Sequence, residues 1–101
     1  RIHIIIRIVK MSFVPEGVPA FLALFENRKE RIRGQEGCHH LELLKDIAQD
    51  NVYFTYSYWD GPEYLEQYRM SDFFADTWKH TKALFADKAQ AWSVSREVVL
   101  P

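Results

Sequence analysis

A chain of 101 residues, 48% hydrophobic and 27% charged, has the composition of an ordinary globular protein. Its 13 basic side chains balance 14 acidic ones to a formal net charge of -1, which removes any electrostatic reason to expect nucleic acid or an anionic membrane as partner. No apolar run approaches the ~20 residues that cross a bilayer, and the single cysteine, Cys38, excludes an intrachain disulfide and suits a reducing, cytoplasmic setting. The length suits one domain over residues 1–101. The opening segment is too short and too interrupted for a signal peptide; the chain starts on Arg1 rather than Met, which leaves its native start open. Aromatic residues, at 15%, are abundant enough to fill a core and also to line an apolar pocket or a subunit interface.

The first predicted strand runs from Ile2 to Met11. Ile4, Ile6 and Ile8 share one face, and Ile5 and Val9 share the other with His3 and Arg7, so both sides are expected to be covered. Arg7 is the odd member of its face: it either snorkels to solvent or points into a pocket. Pro15-Glu16-Gly17-Val18-Pro19 reads as a turn entering a helix. Val18, Phe21, Leu22, Phe25 and Ile32 follow helical spacing, and Gly34 is the expected stop. The Arg and Lys residues of its last two turns read as a solvated face that suits the helix dipole.

A hairpin follows. Its first strand starts at Gly37, with Cys38, His40, Glu42 and Leu44 on one face and His39, Leu41, Leu43 and Lys45 on the other. Asp50-Asn51 supplies the turn, and Val52–Trp59 is rich in β-branched and aromatic residues. His39 and His40, adjacent on a strand, point to opposite faces and cannot grip one ion, so no metal site is expected. Tyr53, Thr55, Ser57 and Trp59 face one side, and Phe54, Tyr56 and Tyr58 the other. One layer of helices covers only one of these faces, and a second copy of the sheet is the simplest cover for the other, which argues for a homodimer.

Asp60-Gly61-Pro62 ends the hairpin. A short helix is expected over Pro62–Arg69 with Tyr64, Leu65 and Tyr68 on one side, then Ser71-Asp72 caps a second helical segment carrying Phe74, Trp78, Thr81 and Phe85. His80 lies beside that stripe. Alternation over Ala91–Leu100 predicts the fourth strand. The order β-α-β-β-α-β defines an α+β, ferredoxin-like arrangement: a four-stranded antiparallel sheet with helices on one face, its interleaved crossovers expected to place the chain's outer strands centrally.

The segments Phe21-Leu22 with Phe25, Gly37-Cys38, Leu41-Glu42-Leu43, Phe54-Thr55-Tyr56-Ser57-Tyr58-Trp59, Tyr68-Arg69-Met70-Ser71 with Phe73-Phe74, and Ala91-Trp92-Ser93-Val94 occur in an order and spacing that resembles the antibiotic-biosynthesis monooxygenase domain of the dimeric α+β barrel superfamily. The resemblance spans nearly the whole chain. It implies the same fold, a homodimer whose sheets face each other as a barrel, and a pocket between helices and sheet. It also implies one of several activities: oxidation of polyphenols or quinols by O2 without metal or flavin, or haem degradation. The haem-degrading branch uses an Asn late in strand one, a Trp closing strand three and a His in the helix after it. Here those positions hold Arg7, Trp59 and Tyr68, so two of three are replaced and the proximal His is missing, which disfavours that chemistry.

The expected function is therefore a cofactor-independent monooxygenase or quinol oxidase on a small aromatic substrate. Arg7, Tyr68 and His40 are the candidate catalytic residues, for anion stabilisation, hydrogen-bond donation and proton removal; His39 is the other candidate base. Trp59, His39, Ser57 and Trp78 are the candidate substrate-binding residues. The alternative is a non-catalytic dimeric module that binds a small ligand; a pocket closed by aromatic packing, with Arg7 turned to solvent, would favour it.

Overall fold

The computed structural model describes residues 3–101. Strand β1 spans Ile5–Ser12, and a 3-10 turn at Pro15–Gly17 leads into helix α1, Val18–Arg33. The hairpin follows as β2, Cys38–Lys45, and β3, Val52–Trp59. Helices α2, Pro62–Arg69, and α3, Asp72–Lys82, precede β4, Gln90–Val94. The four strands form one antiparallel sheet in the order β2-β3-β1-β4, the ferredoxin-like topology.

Three expectations are corrected. The crossovers place β1 and β3 at the centre; β4, expected there with β1, is an edge strand. It stops at Val94 rather than Leu100, because Val94 already pairs with Ile6 and β1 begins one residue earlier, leaving the following residues no strand to pair with. At the other end β1 begins at Ile5; Ile2 lies outside the described residues.

Side-chain alternation sorts the sheet into two faces. Ile5, Arg7, Val9 and Met11 of β1 lie opposite Trp59, Ser57, Thr55 and Tyr53 of β3, on the side where the helices pack. Ile6 and Ile8 lie with Tyr58, Tyr56, Val94 and Trp92 on the face without helices. The helix-side core has two centres. In one, Phe13, fully buried, stacks on Phe21 with ring centroids 4.2 Å apart and meets Tyr53 and Phe85. In the other, Trp59, Cys38 and Leu65 pack with Tyr64 and Tyr68.

Strand β2 carries a bulge. Cys38 pairs with Trp59 and His40 with Tyr58, so His39 is the extra residue and the alternation slips by one. Cys38 therefore packs against the helices while His40 faces the open side with Tyr58; the two do not share a face as simple alternation predicts. Just before the bulge Gly37 takes φ +82°, a left-handed conformation, with the Tyr64 ring packed where a Cβ would stand.

Helix α1 buries Phe21 and Ile32, while Leu22 is 40% exposed and lies off the core stripe. Its basic C-terminal half is not simply solvated. Arg28 donates to Thr77 Oγ1 (2.6 Å) and Asp76 Oδ2 (3.0 Å), Arg31 lies 4.1 Å over the Phe73 ring, and Arg33 donates to the Cys38 carbonyl (2.8 Å). These arginines tie α1 to α3 and β2. At the start of α3 the Ser71 hydroxyl accepts from the Phe74 N–H (3.1 Å). Removing that cap in Ser71→Ala is expected to cost ~1 kcal/mol, a fall in Tm of roughly 4–8 °C by thermal melt.

Candidate functional site

Between the helices and the sheet lies a cavity of about 410 Å³. Its floor follows from the strand period: Arg7, Val9 and Met11 from β1, and Thr55, Ser57 and Trp59 from β3, all project to the helix side. Its roof comes from the stripes of the helices: Phe25 and Ile32 from α1, Leu65, Tyr68 and Arg69 from α2, and Phe74, Thr77, Trp78 and Thr81 from α3.

One wall is a run of aromatic contacts. Trp59 is 1% exposed, and its indole Nε1–H donates to Ser57 Oγ (2.9 Å), so the ring is fixed in place. Tyr68 stacks on it at 5.3 Å between centroids, with 20° between the planes. Phe74 meets Tyr68 edge-on at 5.1 Å and stacks on Trp78, one helical turn further along, at 5.9 Å. Such a surface accepts the faces and edges of a planar ring.

The polar groups of the lining are few. Arg7 Nη1 donates to Ser93 Oγ on β4 (3.0 Å). Burial, and then repulsion from the nearby Arg69 guanidinium, lower its pKa, yet an arginine so shifted remains a cation at neutral pH. Burial, and secondarily the proximity of Cys38, push the Tyr68 phenol well above its ordinary value, so its O–H stays protonated and available as a donor. No Asp, Glu, His or Lys is among the described residues that line the cavity. Cys38 sits behind the wall, buried, its thiol pushed up by desolvation and directed at the His40 carbonyl (3.7 Å). That environment makes it a packing residue rather than a nucleophile.

Of the residues picked from the sequence, Arg7, Tyr68, Trp59, Ser57 and Trp78 therefore line one cavity. The histidines do not join them. His39 is exposed and its Nε2 meets Asp60 Oδ1 at 2.6 Å. His40 lies on the open face of the sheet, with Nε2 against Glu42 Oε2 at 2.5 Å and the ring stacked on Tyr58 at 4.6 Å. The bulge at His39 is what separates His40 from Cys38 and the cavity side. Arg69 was not singled out in advance. Its signal was its place beside Tyr68 at the last position of α2, where the chain leaves the helix. Among the described residues no three His, Cys, Asp or Glu side chains are grouped so as to hold a metal ion.

A ferredoxin-like sheet with an aromatic, cation-bearing cavity under its helices defines an α+β domain with room for a small molecule between its two layers. The model of the family described as antibiotic biosynthesis monooxygenase matches residues 4–80, and the chain belongs to that family. Among solved structures it superimposes on a conserved protein from Methanosarcina mazei with TM-score 0.90 at 18% identity, covering 95% of each chain. A putative antibiotic biosynthesis monooxygenase from Caulobacter crescentus gives TM-score 0.87 at 14% identity, over 94% of this chain and 91% of that one. SnoaB from Streptomyces nogalater, described as a cofactor-independent oxygenase, gives TM-score 0.86 at 15% identity over 98% of each. No curated protein matches the chain. At these identities the structural likenesses establish the fold. No helix among the described residues is long and apolar enough to cross a membrane.

Proposed function

We propose that this chain is a cofactor-independent monooxygenase or quinol oxidase that acts on a small polyphenol- or quinol-type substrate with O2. The observation that carries the reading is the convergence of a half-buried guanidinium, Arg7, and a protonated phenol, Tyr68, on a largely apolar, aromatic-walled cavity. The family and the oxygenase among the structural relatives support it.

The chemistry asks little of the protein beyond this. An electron-rich ring, once ionised at a phenol or enol oxygen, passes electrons to O2 itself. A quinol then yields a quinone and hydrogen peroxide, whereas a methylene flanked by aromatic rings yields a carbonyl and water. Arg7 holds the developing oxyanion, Tyr68 donates to it, and the Trp59 and Trp78 rings orient the substrate. His39 and His40 lie outside the cavity, and the reading uses neither as the base; the proton passes to solvent.

Oxygen uptake by metal-free protein, over a panel of quinols, anthrones and catechols, tests the reading. Uptake above the uncatalysed rate is expected, reduced about tenfold or more in Tyr68→Phe, which loses one hydrogen bond to a charged oxygen. No uptake across the panel leaves a module that only binds such ligands, a reading favoured by the lack of an acid–base pair in the lining. Arg7 lining an open cavity, rather than facing solvent over a closed one, favours the enzyme.

The working unit in this proposal is a homodimer. The helix-free face of the sheet presents Tyr56, Tyr58 and Ile8 together with Leu44, Trp92 and Val94, each of the last three 41–43% exposed. A second copy turned face to face covers them all, and light scattering is expected to return twice the mass of one chain. The unpaired Cys38 suits a cytoplasmic setting for it.

A further inference from the structure

We infer that the substrate is an aromatic carboxylic acid, its carboxylate held by Arg69 at the rim of the cavity while Arg7 is kept for the oxygen that reacts. This rests on the reading above that the cavity is the substrate site, and it adds the class of substrate.

Three observations lead there. Among the described residues the lining holds two guanidinium groups and no carboxylate, so two positive charges border the same space without a balancing charge in the wall they form. Their nearest partners leave them underused. Among the described residues Arg7 donates to a neutral hydroxyl, Ser93 Oγ, and Arg69 meets Glu66 Oε1, one turn back on its own exposed helix face, at 3.5 Å. Such an exposed pair contributes little and breaks readily. Two like charges across an apolar cavity repel, and a ligand anion placed between them relieves that repulsion while the planar guanidinium fork matches a carboxylate.

The second cation is also more than the oxidation requires. One positive group suffices for a single developing oxyanion. A lining without carboxylate, imidazole or amine has nothing to take a proton, so a second negative charge is one that the substrate already carries at neutral pH. Arg7 stands on the same sheet face as Trp59, in the cavity that Tyr68 also lines, among the groups of the proposed chemistry, whereas Arg69 is exposed at the end of α2. The two therefore divide the work: Arg69 acts on binding and Arg7 on the reacting oxygen.

The test uses two probes of the same shape, naphthoate and its neutral amide naphthamide, titrated into the protein under nitrogen and followed by tryptophan fluorescence or calorimetry. Neither probe is a substrate for the oxidation. Naphthoate is expected to bind about tenfold tighter than naphthamide, or more. That preference is expected to shrink with added salt, to vanish in Arg69→Gln and to persist in part in Arg69→Lys. Arg69 is exposed, so these variants are expected to fold. Equal affinity for the two probes, binding of neither, or an acid preference that survives in Arg69→Gln overturns the inference. With a carboxylated quinol as substrate, Arg69→Gln is expected to raise KM and leave kcat largely in place. Oxygen uptake on neutral quinols without acid preference would leave the oxidase standing and remove this inference. An acid preference with no uptake on any quinol would do the reverse.

Discussion

Replacing Arg7 by alanine is expected to reduce oxygen consumption about 100- to 1,000-fold, the range seen when a donor aimed at a developing oxyanion is removed. The loss is expected in kcat. The guanidinium sits half-buried beside Ser93 and faces the Tyr68 and Trp59 wall, where an anion would form during reaction. Its charge matters more there than at the surface because fewer waters can screen it. Secondary structure and dimer mass are expected to be unchanged, since the Arg7 side chain's hydrogen bond among the described residues goes to the exposed Ser93 hydroxyl. Turnover at the wild-type level in this variant would remove Arg7 from the mechanism. The pH profile is a companion test. Burial lifts the Tyr68 phenol, so its ionisation is expected to add no inflection below about pH 10, the ordinary tyrosine value.

Phe13→Ala is expected to destabilise the fold by about 3–5 kcal/mol, the usual cost of removing a buried phenyl ring. For a chain this size that is a loss of some 12 °C or more in Tm. Phe13 is the hub of the larger core centre: its ring touches Phe21 of α1, Tyr53 of β3 and Phe85 after α3. It also bridges to Phe85 through the backbone, which closes the chain from α3 back onto the end of β1. Truncation therefore leaves a hole where three segments meet, with little chance of collapse. A melt within about 1 kcal/mol of wild type would mean that this centre can repack, contrary to the close packing expected of protein interiors.

The sequence was most legible where one period governed a whole element. The alternation of Tyr53, Thr55, Ser57 and Trp59 grouped them on one face of β3, and the spacing of Phe74, Trp78 and Thr81 grouped them on one side of α3, as the structure has them. Ser71 marked the start of α3 because a cap is a local device, readable without knowing what lies around it. Legibility failed where a single residue changed the phase. The bulge at His39 is silent in the residue types around it, and it alone turns Cys38 inward and leaves His40 outside. The end of β4 was illegible for another reason. A strand continues only as long as it has a neighbour, and the neighbour is set by the start of β1, some ninety residues away in sequence. Arg28, Arg31 and Arg33 read as a solvated stripe because periodicity reports which side a residue occupies but not what reaches it from α3 and β2.

The position of β1 in the sheet has a kinetic consequence. It is laddered to β3 along its whole length and to β4 over five residues, so its amides are expected to be among the last to exchange with solvent deuterium. Arg7 thus rides on a strand paired on both sides, so in the proposed reaction no loop has to swing shut to bring its guanidinium into place. Ligand association is then expected to be a single exponential whose rate rises linearly with ligand concentration, without the plateau that a slow closing step imposes.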